Sequence, residues 1–157
     1  MLILTRRIGE KIIADDNIVF TVMDQLKIDE GYRARLYKCS AGVNTIGYGH
    51  NCEDADISKI TASHILSSDV ASTIADCERF DWFYPLDSIR KEVIINMVFN
   101  LGFNGVSKFK KMIAAIKEGE FETASDEMKD SRWYVQVGSR AERLCREMRT
   151  GKKGFEA

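Results

Sequence analysis

Glu30, Cys39 and Thr45 are the residues of this chain whose types and spacing could do chemistry. Glu30 closes an apolar pattern at helical spacing (Val22, Met23, Leu26, Ile28), and Gly31 follows it as a helix stop signal. A lone Glu on a firm support suits general acid catalysis. Held in an apolar surround, it keeps its proton to higher pH and can hand it to a leaving oxygen. Cleaving a glycosidic bond also needs a second group on the other face of the sugar, to activate water or attack directly. Cys39 and Thr45 follow, and the glycine-punctuated run Thr45-Ile46-Gly47-Tyr48-Gly49-His50 reads as a tight hairpin whose backbone lies close to something. A helix end and a hairpin would then bring an acid, a thiol and a hydroxyl to one cleft.

The spacing is Glu, eight residues, Cys, five residues, Thr, followed by Ile-Gly-Tyr-Gly-His. It resembles the motif of the T-even type phage lysozymes, glycoside hydrolase family twenty-four, which carry Asp or Cys at the second position. The resemblance continues through Leu86-Asp87-Ser88, Ile95 to Phe99 with Leu101-Gly102, Ser131-Arg132-Trp133-Tyr134, Arg140-Ala141 and Arg149-Thr150-Gly151, covering roughly residues 20–157. It implies an α+β, mainly helical lysozyme-like fold, with a small β-hairpin lobe at about 31–60, a larger helical lobe at about 61–157, and the active-site cleft between them. It implies an N-acetylmuramidase that hydrolyses the β-1,4 bond between N-acetylmuramic acid and N-acetylglucosamine in bacterial peptidoglycan, for host cell lysis, without a cofactor and as a monomer. Carried over, Glu30 is the proton donor, Thr45 positions water, Arg140 pairs with Glu30, and Phe99 lines the sugar-binding cleft. The resemblance also sets Asp69 opposite His50, a pair that would raise the His pKa and pin a helix to the hairpin. Asn100, next to Phe99, could reach a sugar hydroxyl or bond within the core, and Asn51 is a further substrate-binding candidate.

Cys39 departs from the Asp of the best-known member. A thiol of ordinary pKa, about 8.5, is mostly neutral near pH 7 and makes a poor base unless that pKa is lowered. A thiolate could instead attack the anomeric carbon, so inversion and retention both stay open. A wall-binding protein that has lost turnover is the alternative.

Composition sets the bounds. At 157 residues the chain suits one domain with a real core, and 45 % hydrophobic with 30 % charged residues is ordinary for a soluble globular protein. A formal net charge of -1 gives no overall electrostatic footprint for nucleic acid. Arg140, Arg143, Arg146, Arg149, Lys152 and Lys153 concentrate positive charge at the C-terminus. That could attract an anionic wall polymer or be a solvated helix face. Cys39, Cys52, Cys77 and Cys145 form no CxxC pair, which suits reduced thiols, with Cys77 and Cys145 as core fillers. A metal set drawn from Cys39, His50, Cys52 and His64 lacks regular spacing, and none is expected. Arg6, Arg7, Glu10 and Lys11 interrupt any apolar leader or anchor. The expectation is synthesis into the host cytoplasm, with access to the periplasmic wall supplied by a membrane-permeabilising phage protein.

Residues 1–21 read as an extension to a catalytic domain at 22–157. Up to three short strands are expected, with turns at Gly9 and at Ala14-Asp15-Asp16-Asn17 and a change to helical register near Thr21. Met1 to Arg7 with Gly9-Glu10 resembles the first strands of the carbon storage regulator, an RNA-binding repressor in which the residues matching Leu4, Arg6 and Arg7 touch RNA. The rest of that fold is absent, so RNA binding through Arg6 and Arg7 is the weaker alternative. A packed extension, a fused fragment, or a strand edge that promotes dimerisation are the others.

Downstream, Thr61 is expected to cap a helix through Ile65, Leu66, Val70 and Ile74. Asp87, after Pro85, should cap a helix apolar on every side and therefore buried, with Asn96 bonded in the core. Gly102 and Gly105 should break it. Helices follow at about 107–118 and 121–129. A helical turn surrounds a core Trp133, and a last helix is opened by a capping box at Ser139-Arg140-Ala141-Glu142.

Overall fold

The computed structural model describes the backbone at residues 2–7, 10–14 and 16–154, and side chains at residues 22–154. Strands β1 (Leu2–Arg7) and β2 (Glu10–Ala14) pair antiparallel, with Ile3 opposite Ile13 and Leu4 opposite Ile12. The expected turn residue Gly9, and the side chains of Leu4, Arg6 and Arg7, lie outside the described residues. The third strand does not form. Helix α1 (Asp16–Glu30) takes its place and runs through the expected boundary at residue 21. The reason is the period: Ile18, Val22 and Leu26, with Val19 and Met23, recur at four. That spacing lines one helix face, and it overrides a β-branched preference that depends on context. Gly31 ends α1 at φ +66°, donating its amide to the Lys27 carbonyl at 3.1 Å.

Three strands follow as an antiparallel sheet in the order β3 (Arg33–Lys38), β4 (Asn44–Gly47), β5 (His50–Asn51). Tyr37 lies opposite Thr45, and Thr45 lies opposite Asn51 on its other side, so Thr45 occupies the centre of the sheet. The register shifts between Arg33 and Tyr37. The chain divides into two compact units, Met1–Ser58 and Lys59–Ala157, and everything named so far belongs to the first.

The second unit is helical: α2 (Lys59–Cys77), α3 (Ser88–Val106), α4 (Lys110–Lys117), α5 (Phe121–Lys129), α6 (Arg132–Val137) and α7 (Ser139–Thr150). Helix α2 starts two residues before Thr61, which therefore lies in its first turn instead of capping it. Asp87 does cap α3, accepting from the Arg90 amide at 3.0 Å. Partial burial works to raise the Asp87 carboxyl, but the Arg90 amide and guanidinium outweigh it and hold it below the ordinary carboxylate value.

Val93, Ile94, Met97 and Val98 of α3 are buried, as an all-round apolar helix must be. They form one core with Met112, Met128, Trp133, Leu144 and Met148, and with Cys77 and Cys145, whose thiols burial pushes up to about 12 and about 11. Gly102, at φ 72° and ψ 165°, kinks α3 before its last turn, whereas Gly105 continues the helix.

The expected capping box at Ser139 is not formed. Gly138 occupies the N-cap of α7 and offers no side chain. A cap the sequence reading passed over is Ser131, which accepts from the Tyr134 amide at the start of α6. Most of the C-terminal cations have internal partners. Arg143 pairs with Glu147 at 3.2 Å, Arg149 with Glu122 and Asp126, and Lys153 with Glu92. Glu147 is 1 % exposed and also accepts from the Gly154 amide, so the chain after α7 is tied back onto the helix.

Candidate active site

Within the first unit, the sheet is built so that a turn at the end of β3 presents Cys39. The Cys39 amide donates to the Val43 carbonyl at 3.0 Å, and the Gly42 amide donates back to the Cys39 carbonyl at 2.8 Å. Gly42 adopts φ +80°, which the tight turn requires. The half-buried Cys39 thiol lies below its ordinary pKa. The Val43 and Ala41 amides lower its pKa most, partial burial works against them, and the Thr45 hydroxyl and the Cys39 amide add to the lowering. Thr45 is 4 % exposed and donates its one hydroxyl proton to the Val43 carbonyl at 3.0 Å. The thiolate and that carbonyl therefore compete for a single proton. Cys39 and Thr45 are brought together as the spacing required.

Glu30 stands at the end of α1 and is exposed, so the apolar enclosure expected around it is not part of this unit. Its neighbour is the loop Gly47-Tyr48-Gly49, which joins β4 to β5 and closes with Ile46 opposite His50. A Cβ built on Gly49 would lie 2.6 Å from Glu30 Oε2 and 2.9 Å from its Cδ. The carboxyl group thus fills the space that a side chain at position 49 would take. Tyr48 and Tyr32 meet ring to ring at 5.4 Å, fixing this loop against the residues just after α1.

The remaining candidates divide between the units. Asn51 is engaged in its own turn. Its Oδ1 accepts from the Glu53 and Asp54 amides and its Nδ2 donates to Asp54, an arrangement that ends β5. The His50 Nε2 atom is shielded from solvent and has no hydrogen-bond partner among the described residues. Asp69, its expected counterpart, belongs to α2 in the other unit, where its carbonyl accepts from the Thr73 hydroxyl at 2.7 Å.

In the helical unit Arg140 donates to Asn96 Oδ1 through Nε at 3.2 Å and Nη2 at 2.7 Å, which joins α7 to α3. Asn96 is in this way a bonded residue, as expected. Phe99, 42 % exposed, joins Asn96, Arg140, Leu66 and Val70 around a cavity of about 200 Å³. Asn100 Oδ1 accepts from the buried Trp133 indole at 3.0 Å, so its oxygen serves the core.

Residues 27–149 match the phage lysozyme family. The chain belongs to that family. It is 31 % identical to a probable T4-type lysozyme of Dictyostelium discoideum over 85 % of this chain and 96 % of that protein. The central spike protein of the pre-baseplate of Enterobacteria phage T4 is 27 % identical over 90 % of this chain and 30 % of its own length. An endolysin of Acyrthosiphon pisum secondary endosymbiont phage 1 is 30 % identical over 65 % of this chain and 70 % of its own. The family, the T4-type lysozyme and the endolysin support a lysozyme-type function, and Glu30, Cys39 and Thr45 all lie in the first unit.

The sequence reading missed the Val43 and Ala41 amides beside Cys39, because a backbone donor has no residue-type signature. The signal for Gly49 was present: a glycine-rich hairpin implies a close approach, and the approaching group is Glu30.

Proposed function

We propose that this protein is an N-acetylmuramidase hydrolysing the β-1,4 bond between N-acetylmuramic acid and N-acetylglucosamine in peptidoglycan. Glu30 protonates the leaving oxygen, Cys39 acts on the anomeric side as base or nucleophile, and Thr45 orders water beside it. The observation that carries this reading is the Cys39 turn. The Val43 and Ala41 amides and the Thr45 hydroxyl hold the Cys39 thiol below its ordinary pKa, which supports a sulfur that ionises more readily than a free thiol. Phe99 contributes apolar contact to the sugar chain. Release into the host cytoplasm, access to the wall after membrane permeabilisation, and lysis of the host complete the proposal.

Digestion of purified peptidoglycan followed by mass analysis of the reduced products tests it. Products reduced at N-acetylmuramic acid are expected. Reduction at N-acetylglucosamine, or intact glycan with bound protein, contradicts it.

A further inference from the structure

We infer that Gly49 is the positioning residue for Glu30, a wall that sets the carboxyl group by presenting bare backbone to it; the inference rests on Glu30 being the proton donor. Three distances carry it. A Cβ at position 49 would meet Glu30 Oε2 at 2.6 Å, Cδ at 2.9 Å and Cγ at 3.2 Å, and real Cβ contacts do not fall under 3.0 Å. The clash falls on the far end of a flexible side chain, so the cheap response to a new Cβ is rotation of Glu30 away from its place.

The same loop supplies a control. Gly47, two residues earlier at the end of β4, has nearly the same φ, +68° against +74°, but a Cβ built there meets nothing within 4 Å. Both positions have a positive φ that L-residues resist, so a side chain at either strains the backbone. Only at position 49 does it also displace the acid. The two glycines look equivalent in the sequence and are not equivalent in the site.

The test compares Gly49→Ala with Gly47→Ala for thermal midpoint, kcat and KM on peptidoglycan, with Glu30→Gln alongside. A misplacement of about 1 Å in a catalytic group costs roughly 10²-fold. Gly49→Ala is therefore expected to lose roughly 10²-fold more kcat than Gly47→Ala, with KM similar and the two midpoints matched. Equal kcat in the two variants overturns the inference. So does a Gly49→Ala loss that merely tracks its unfolded fraction. If the alanine variants fail to fold, Gly49→Asn and Gly47→Asn replace them, since Asn tolerates positive φ and still carries the Cβ. Full activity in Glu30→Gln would sink the proton-donor reading itself, whereas an inactive Glu30→Gln with equal glycine variants sinks only the role of Gly49.

Discussion

Replacing Cys39 by Asp should change the pH dependence of turnover more than its size. An ordinary thiol, with pKa about 8.5, is roughly 3 % ionised at pH 7, and a carboxylate there is fully ionised. If the two groups react alike once ionised, Cys39→Asp gains at most about 30-fold in kcat/KM at pH 7 and about 10³-fold at pH 5.5. The Val43 and Ala41 amides and the Thr45 hydroxyl lower the Cys39 pKa, so the measured gains should fall short of both ceilings while still rising as pH falls. The assay is the initial rate of reducing-end release from soluble peptidoglycan between pH 5.5 and 8.5, read as the ratio of variant to wild type. A ratio independent of pH, or a Cys39→Ala enzyme with undiminished turnover, would refute the role of an ionised sulfur.

The same shift has a consequence for stability: a lowered folded-state thiol pKa stabilises above the unfolded value and loses that effect as pH falls through the folded value, so the wild-type midpoint should gain on Cys39→Ala as pH rises toward about 8.5. Asp87→Ala removes the α3 cap and should cost about 1 kcal/mol, lowering the thermal midpoint by about 2–4 °C at neutral pH. Because the Asp87 pKa is depressed, that difference should be fully present above 3.8 and shrink as pH falls through the folded value. Arg143→Ala leaves Glu147, 1 % exposed, without its cation and should cost about 3 kcal/mol by urea titration, whereas Arg143→Leu with Glu147→Met should cost much less.

The sequence placed the three candidate residues of the first unit because they are written as residue types at fixed spacing. Glu30 at a glycine-terminated helix end and Cys39 beside Thr45 both stand where the motif puts them. Buried α3 was equally legible from its all-round apolar face, as was its Asp87 cap. What was not legible depended on competition between local signals. Ile18 to Val22 satisfies both a strand preference and a helical period, and the period decides. Ser139 to Glu142 has the letters of a capping box, but Gly138 already occupies the cap. Asn51 was a candidate for a sugar, and Asn100 was open either to a sugar hydroxyl or to the core, because amides are versatile. Asn51 ends β5 by closing its own turn, and the Asn100 oxygen holds the Trp133 indole. The cationic C-terminus could be a landing surface or a solvated face in one dimension, and three of its six cations, Arg143, Arg149 and Lys153, are paired with Glu147, Glu122, Asp126 and Glu92.

The most direct measurement is the loss of turbidity of permeabilised Gram-negative cells on addition of the wild-type protein or Glu30→Gln at equal folded concentration. The account predicts rapid clearing by the wild type and none by Glu30→Gln, with circular dichroism unchanged. Clearing at equal rates by both proteins, or binding to the wall without clearing by either, would contradict it.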